Sequence, residues 1–248
     1  MNNIQTLLKK RKNKKLLVIF PHPDDESVMA AGLMQAALAR KWNVRVVSLT
    51  HGEAGKMHIN GKGKSLKEIR KLEFERAMKT LAVSECKVHS FPDGRLKETK
   101  LPWRDLLKTE ISSFKPGIIV TYDPTGITGH PDHVVLSHEI SLVVNELSND
   151  KSKDIPQLLW PAYVGLPKKR MYHSELLESA PEPSHHLVLN PIQVLKKYQA
   201  IVAHKSQRVG KSQPLPLWLV MVLFGRHEYY TLAPLTKPTE PKFIEFAI

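Results

Sequence analysis

The chain has 248 residues, of which 42% are hydrophobic and 25% are charged, ordinary values for a globular protein that can bury a sizeable core. The single cysteine, Cys86, excludes an intrachain disulfide and fits a reducing compartment. The net charge of +13 is compatible with a nucleic-acid or anionic-membrane partner. No nucleic-acid motif or aromatic platform accompanies that charge, so we favour a dispersed, solvated basic surface that helps to attract an acidic or phosphorylated substrate.

The N-terminal residues are rich in lysine. We predict a basic N-terminal extension over residues 1–15 and a single domain over residues 16–248. The apolar run that follows the extension is too short for a signal peptide. The longest later apolar stretch, Leu217 to Phe224, is far below the ~20 residues that span a bilayer. We therefore expect a cytoplasmic protein with no membrane anchor.

Short apolar runs alternate with helical patterns along the chain. The predicted strands are 16–20, 44–49, 86–91, 117–122, 157–164, 185–190 and 227–232. The predicted helices are 27–41, 66–82, 103–114, a helix from 134, and 191–204. The proline-rich stretch 165–184 is predicted to be an irregular excursion or a lid. This alternation predicts an α/β fold, a single Rossmann-like three-layer domain with a mostly parallel sheet and a C-terminal extension.

A cluster of polar side chains follows the first long strand. His22-Pro23-Asp24-Asp25-Glu26 comes directly after an apolar run and directly before a helix. In open α/β sheets, ligands bind at this carboxyl edge of the strands. The alternative is a turn between prolines, in which Asp24 or Asp25 caps the helix.

A second cluster repeats this arrangement of strand, His/Asp loop and helix. Gly129-His130-Pro131-Asp132-His133 follows the strand 117–122. Two such loops at one edge of a parallel sheet can converge on one ion. Imidazole and carboxylate are the usual ligands of catalytic zinc, with three protein ligands and one open position.

The two clusters together resemble the PIG-L/LmbE family of zinc-dependent N-acetylglucosaminyl deacetylases. Weaker similarities follow in the expected order, and the resemblance covers roughly residues 16 to 207. The segments with this weaker similarity are Thr50-His51-Gly52-Glu53-Ala54-Gly55, then Arg70, Glu73 and Ala77, then Phe91-Pro92-Asp93-Gly94, and finally His204-Lys205-Ser206-Gln207.

The resemblance implies a role for each polar residue of the two motifs. The expected zinc ligands are His22, Asp25 and His133, and Fe²⁺ or Mn²⁺ could occupy the same ligands. Asp24 is the expected general base on a metal-activated water. His130 is the candidate donor to the oxyanion, to the leaving amine, or to both, and Asp132 is expected to orient it or to modulate its charge. Glu26 is either a brace behind the site or, as we favour, a carboxylate at the helix N-terminus.

Substrate contacts are less specific in the sequence. His51, Glu53 and Asp93 are candidate substrate-binding residues, although a solvated loop explains Glu53 equally well and a plain turn explains Asp93 equally well. The sequence departs from the family at Thr128, where some members carry a tyrosine that assists at the carbonyl. Either His130 takes a larger share of that role or another side chain, such as Tyr122, replaces the tyrosine.

The expected partner is a small amino-sugar conjugate, with no nucleic acid. The resemblance also implies assembly as a trimer or a hexamer. Two alternatives to the deacetylase stay open. One is a metal-dependent hydrolase of another amide or of an ester, and the other is a polyanion-binding protein whose metal site is vestigial.

Overall fold

The computed structural model describes residues 1–148, 154–207 and 216–244. The strands are β1 (Asn2–Asn3), β2 (Lys15–Phe20), β3 (Asn43–Ser48), β4 (Glu85–Val88), β5 (Ile118–Val120), β6 (Gln157–Ala162), β7 (His185–Val188) and β8 (His227–Leu232). The helices are α1 (Ile4–Lys10), α2 (Asp25–Met29), α3 (Ala31–Leu38), α4 (Leu66–Thr80), α5 (Lys100–Phe114), α6 (Pro131–Ser148), α7 (Gly165–Met171), α8 (Pro191–Ala203) and α9 (Leu217–Leu223).

The eight strands of the described residues belong to one sheet, in the order β1-β7-β8-β6-β5-β2-β3-β4. Strands β2 to β6 run parallel to one another, whereas β8 is antiparallel to both β6 and β7. Helices that pack on both faces supply two apolar clusters, one against α1–α4 and α8 and the other against α5 and α6. The predicted three-layer α/β domain with a mostly parallel sheet is therefore confirmed.

Strand β2 lies at the centre of the parallel region and determines where a ligand can bind. Its residues Leu16 to Phe20 are buried, and they alternate between the two apolar clusters. Val18 is in register with Val46 of β3 on one side and with Val120 of β5 on the other. The chain continues from β2 to β3 and β4 on one side and later returns to β5 on the other side of β2. Because the strand order reverses at this point, the loops after β2 and β5 frame a crevice at the carboxyl edge of the sheet.

The helix predicted over residues 27–41 begins earlier and is divided into α2 and α3. The break is at Ala30, whose backbone angles of φ −139° and ψ 6° are not helical. The amides of Gly32 and Leu33 donate to the Glu228 carboxylate at 2.8 and 2.9 Å, so this distant residue of β8 caps α3. Gly32 leaves room for this contact, since a Cβ atom there would collide with the Glu228 carboxylate, but the capping group itself comes from the far end of the sequence.

The first ten residues pack on the sheet. Strand β1 pairs in parallel with β7, and Ile4 and Leu8 of α1 are completely buried. The lysines of this segment lie on the outer side of an element whose inner side belongs to the core. Within the described part of the chain, no helix combines the length and the apolar character needed to cross a membrane.

A buried ion pair ties α8 to β8, and it leads to a first prediction. Lys197 Nζ lies 2.7 Å from Glu228 Oε1, and both side chains are less than a tenth exposed. We expect Lys197→Met to lower the free energy of unfolding by about 3–5 kcal/mol, because it leaves a buried carboxylate without its counter-charge. Urea unfolding followed by circular dichroism measures this change.

The matched control is the exposed pair formed by Lys168 and Glu182, which has the same 2.7 Å separation. Lys168→Met should cost only about 0–1 kcal/mol, because solvent screens an exposed pair. Equal losses in the two variants would show that burial of the Lys197 pair makes no difference to its strength.

Candidate active site

The loop after β2 turns sharply into α2 and presents two neighbouring carboxylates. Asp24 has φ 120°, a conformation that non-glycine residues rarely adopt, and α2 begins at Asp25. The backbone amide of His22 donates to Asp25 Oδ2 at 3.1 Å, which closes the turn. The alternative role of Asp24 as a helix cap is not seen, since its side chain accepts no capping hydrogen bond.

The loop after β5 brings the second motif against the first. His133 lies in the first turn of α6, and Asp132 precedes it. His133 Nε2 lies 3.3 Å from His22 Nδ1 and 3.8 Å from Asp25 Oδ2, while His22 Nδ1 lies 3.5 Å from Asp25 Oδ2. The predicted metal ligands thus form a triangle of donor atoms that face one another.

The size of this triangle fits a metal ion. Tetrahedral zinc with bonds of about 2.0–2.1 Å separates its ligand atoms by about 3.3–3.4 Å. Other donor sets converge nearby, since potential ligand atoms of His22, His130 and His133 lie within 4.8 Å of one another, as do those of His22, Asp93 and Asp132. The set with Asp25 combines two imidazoles with one carboxylate, the composition expected of an open catalytic site.

The other nitrogen of each metal-facing imidazole is held by an acceptor. His22 Nε2 lies 2.9 Å from Asp93 Oδ1 and 3.3 Å from Asp132 Oδ2. His133 Nδ1 lies 3.1 Å from the carbonyl oxygen of Gly126. These outer contacts select the tautomers that leave His22 Nδ1 and His133 Nε2 as the lone-pair donors.

Gly126 is required for that contact with His133. It has φ 64°, and a Cβ atom at this position would collide with the Cβ of His133. The absence of a side chain therefore lets the loop lie directly against the metal-facing histidine.

Charge in the cluster also fits a cation. Burial lowers the pKa of His133 to about 3, so this imidazole is neutral, as a metal ligand must be. Burial alone would also lower the pKa of His22, but Asp132, Asp25 and Asp93 raise it well above its usual range. The positive charge that these carboxylates favour is the charge that a bound divalent cation would supply.

Tyr122 holds Asp25 from behind. Its hydroxyl donates to Asp25 Oδ1 at 2.5 Å, which leaves Oδ2 directed at the histidines, and its ring stacks on His133 with centroids 3.9 Å apart. Burial raises the pKa of Tyr122 well above its usual range, so the phenol stays protonated and donates. This hydroxyl is engaged with a metal-facing carboxylate.

The Asp132 carboxylate is completely buried and contacts the His22 imidazole. It accepts hydrogen bonds from the backbone amides of Gly94 and Leu96 at 2.8 and 3.0 Å, in addition to its contact with His22 Nε2. Its link to His130 runs through the backbone, because the Asp132 amide donates to His130 Nδ1 at 3.2 Å. The side chain of Asp132 therefore orients the metal-facing His22, and its amide orients His130.

Known proteins resemble this chain in sequence and in fold. Residues 17–144, just over half of the chain, match the family described as PIG-L: GlcNAc-PI de-N-acetylase. The chain belongs to the PIG-L family. The resemblance drawn from the two His/Asp motifs is thereby confirmed.

Two relatives illustrate the similarity in sequence. The probable N-acetyl-alpha-D-glucosaminyl L-malate deacetylase 2 of Bacillus anthracis is 28% identical over 207 residues, which cover 81% of this chain and 84% of that protein. The Bacillus subtilis protein of the same description is 31% identical over 207 residues, with 81% and 86% covered. Among solved structures, the N,N'-diacetylchitobiose deacetylase of Pyrococcus horikoshii has a similar fold, with a TM-score of 0.66, 20% identity, and coverage of 94% of this chain and 88% of that chain.

Arg70 holds the Asp24 loop in this PIG-L domain. Its guanidinium lies 3.3 Å from Asp24 Oδ2, and it donates to the carbonyl oxygen of Pro23 and, at 3.0 Å, to that of Gly52. Gly52 has φ 67°, and a Cβ atom there would occupy the space of the guanidinium. Arg70 thus ties the loop after β2 to the loop after β3.

We expect Arg70→Lys to lower kcat/KM by about 10²-fold, because a single ammonium cannot hold two carbonyls and a carboxylate together. Steady-state kinetics on the best substrate measures the effect. Arg76→Lys is the control, since Arg76 is exposed on the same helix α4. Full activity of Arg70→Lys would mean that the Asp24 loop keeps its position without the several hydrogen bonds that the guanidinium donates.

The predicted substrate residues lie at different distances from the cluster. Asp93 contacts His22 and also accepts from the amide of Ala54 at 2.8 Å, so both of its oxygens are engaged. Glu53 is exposed, and its carboxylate accepts from the Asp93 amide at 3.4 Å. His51 is buried and pairs with Ser90 Oγ at 3.1 Å. The structure brings Asp93 into the cluster and leaves Glu53 and His51 outside it.

The late motif braces the other side of the Asp24 loop. Glu26 accepts from the Asp24 amide at 3.1 Å, and its second oxygen lies 3.4 Å from His204 Nε2. Glu73 accepts from both the amide and the hydroxyl of Ser206. Glu26 therefore has both of the roles considered for it. It lies in the first turn of α2, as we favour from the sequence, and it is also a buried brace behind the Asp24 loop.

Sequence reasoning assigned no functional contact to Arg70 or Gly126, and it considered Tyr122 only as a replacement for the family tyrosine at the carbonyl, not as the partner of Asp25. Arg70 and Tyr122 were visible as residues of a family segment and of a strand end, but nothing in their spacing shows which carboxylate each one contacts. Gly126 carries the stronger signal, because a glycine in a turn before a His/Asp motif often marks a close approach of the backbone.

Proposed function

We propose that this protein is a zinc-dependent hydrolase that removes an N-acetyl group from a substrate containing N-acetylglucosamine. The observation that carries the proposal is the triangle of His22 Nδ1, Asp25 Oδ2 and His133 Nε2. Asp24 directly precedes Asp25 in the same loop. Membership of the PIG-L family supports it, as does the description of both Bacillus relatives as probable deacetylases.

His22, Asp25 and His133 would hold the metal. Zinc bound there would supply a Lewis acid that polarises the amide carbonyl and makes a water molecule acidic near neutral pH. The same donor set also suits Fe²⁺ or Mn²⁺, so the native ion is part of the proposal.

Asp24 accepts the proton of the attacking water. Burial raises the pKa of Asp24 to about 6, although the Arg70 guanidinium opposes this shift, and a carboxylate with a raised pKa is a better base. Asp24 then returns this proton to the nitrogen of the leaving amine. Arg70 and Glu26 hold the Asp24 backbone in its unusual conformation throughout.

His130 stabilises the oxyanion that forms at the acetyl carbonyl. Because its Nδ1 accepts from the Asp132 amide, its proton is on Nε2, where it can be donated. Burial, followed by the charge of His22, lowers the pKa of His130, so it acts as a neutral hydrogen-bond donor. A neutral imidazole is a weak acid, which is why we assign protonation of the amine to Asp24.

His51, Glu53 and Asp93 remain the candidate contacts for the sugar. Glu53 is the most accessible of them, whereas Asp93 can contact a sugar hydroxyl only by sharing an oxygen that now contacts His22 or the Ala54 amide. A small amino-sugar conjugate as the partner, a cytoplasmic location and assembly as a trimer or a hexamer also remain predictions.

The direct test is acetate release from a panel of N-acetylglucosaminyl conjugates by zinc-loaded and chelator-stripped protein. We expect release from at least one conjugate, loss of that activity after stripping, and recovery when zinc is added back. An absence of acetate from every conjugate, with zinc shown to be bound, would reject the acetyl-sugar assignment. The same samples would then be tested for hydrolysis of other amides and of esters.

A further inference from the structure

The outer side of α8 and α9 exposes large apolar side chains to solvent. Trp218, Val222 and Leu223 of α9 are 57%, 67% and 53% exposed. On α8, which packs against α9, three more apolar side chains are exposed. We define the α8/α9 apolar surface as these six residues: Ile192, Leu195, Val202, Trp218, Val222 and Leu223.

These residues are not needed for the core. Ile192, Leu195 and Val202 recur at helical spacing on one side of α8, whereas Ala200 and Ile201 face the interior. On α9, Met221 faces inward and the exposed residues lie around it. Exposed apolar side chains grouped on two helices that pack together are a candidate binding surface.

The charge of this part of the chain identifies the kind of partner. No Asp or Glu occurs between Glu182 and Glu228, although the whole chain has 24 of them. The interval contains six basic residues, Lys196, Lys197, Lys205, Arg208, Lys211 and Arg226. Lys205 and Arg226 are exposed at the ends of the two helices, Lys197 is buried against Glu228, and Arg208 and Lys211 lie outside the described residues.

We propose that the α8/α9 apolar surface binds the interface of an anionic lipid bilayer. An exposed tryptophan, aliphatic side chains and exposed cations, on two helices that themselves carry no acidic residue, are the combination that inserts shallowly among anionic headgroups. A two-fold dimer formed through this face would bring two positive surfaces together, which disfavours that mode of self-association. Nucleic acid would bind the cationic side chains but would leave the apolar side chains exposed to solvent.

This inference goes beyond the proposed hydrolase reaction and does not depend on it. The six residues of the surface are distinct from those of the His22 cluster. Loss of membrane binding and loss of deacetylation are therefore separate results.

Vesicle binding tests the proposal with the full chain. Of the four tryptophans, Trp42, Trp103 and Trp160 are buried, so a change in emission on binding reports on Trp218. We expect co-sedimentation with vesicles of phosphatidylcholine and phosphatidylglycerol, at least about tenfold stronger than with phosphatidylcholine alone, and weaker in high salt. The tryptophan emission should shift to the blue at the same lipid concentrations.

The variant Val222→Asp/Leu223→Asp should lower binding to the anionic vesicles by about tenfold or more, because it places charge in the apolar surface. Leu166→Asp/Leu235→Asp is the matched control. Both of its positions are 52% exposed and lie outside α8 and α9, and it adds the same two negative charges. Thermal melting shows whether each variant is folded.

Three results would overturn the proposal. The first is no binding of the wild-type chain to anionic vesicles at low salt. The second is an equal loss of binding in the two double variants, which would reduce the interaction to net charge. The third is a wild-type oligomer in light scattering that Val222→Asp/Leu223→Asp dissociates, with Trp218 already shielded before lipid is added, which would make a second copy the occupant.

Discussion

Asp24→Asn is expected to lower kcat by about 10³-fold while the protein keeps its metal, because the amide has no basic oxygen to take the proton from water. The substitution preserves shape and leaves His22, Asp25 and His133 unchanged. Substrate affinity should change little, so KM should stay close to that of the wild type. Steady-state kinetics and elemental analysis of the purified variant measure both quantities.

Asp24 also pairs with Arg70, so a structural effect has to be separated from a catalytic one. Asp105→Asn, at an exposed position on α5, is the control for loss of one negative charge. Reduced metal content in Asp24→Asn would show that the residue supports the ligands instead of acting as a base. Wild-type kcat with full metal content would refute the general-base assignment.

The sequence predicted the centre of this molecule well, because the information there is local. The apolar run before His22 forms a strand buried on both faces, and the polar residues directly after it have to lie at the carboxyl edge of the sheet. The same reasoning places His133 after β5. Since β5 pairs with β2, the two motifs meet, and potential ligand atoms of His22, Asp25 and His133 lie close together.

Contacts that depend on distant residues were not predictable. The division between α2 and α3 depends on Glu228, which is almost two hundred residues away in the chain and caps α3 from β8. The position of the Asp24 loop depends on Arg70, whose reach to Pro23 follows from the packing of α4. Neither periodicity nor turn chemistry contains this information, because both describe only neighbours in the sequence.

Asp132 illustrates the same limit inside the site. Adjacent residues suggested that its carboxylate would act on His130. In the folded protein, the first turn of α6 directs that carboxylate toward the amides of Gly94 and Leu96 and toward His22. The direction of a side chain at a helix start depends on what the neighbouring loop offers, and residues 94 to 96 come from a different βα unit.

His133→Ala is expected to remove the metal and, with it, the activity. The imidazole supplies one corner of the donor triangle from α6, and alanine leaves only His22 and Asp25 facing each other across 3.5 Å. Metal affinity should fall by more than about 10²-fold, the upper end of the loss seen when an outer-shell partner is removed. Isothermal titration with zinc and kinetics at saturating zinc measure the two effects.

Two comparison variants make this result specific. Asp132→Asn leaves the three predicted ligands in place and changes the carboxylate that contacts His22 and accepts from the amides of Gly94 and Leu96, and it should weaken zinc binding by about 10–100-fold. His138→Ala removes a histidine farther along α6 that pairs with Glu139, and it should bind zinc like the wild type. From the tightest to the weakest zinc binding, the expected order is therefore His138→Ala, then Asp132→Asn, then His133→Ala. If His133→Ala binds zinc as tightly as Asp132→Asn does, His133 is not a ligand, and His130, whose ring lies 4.9 Å from that of His22, becomes the second imidazole to test.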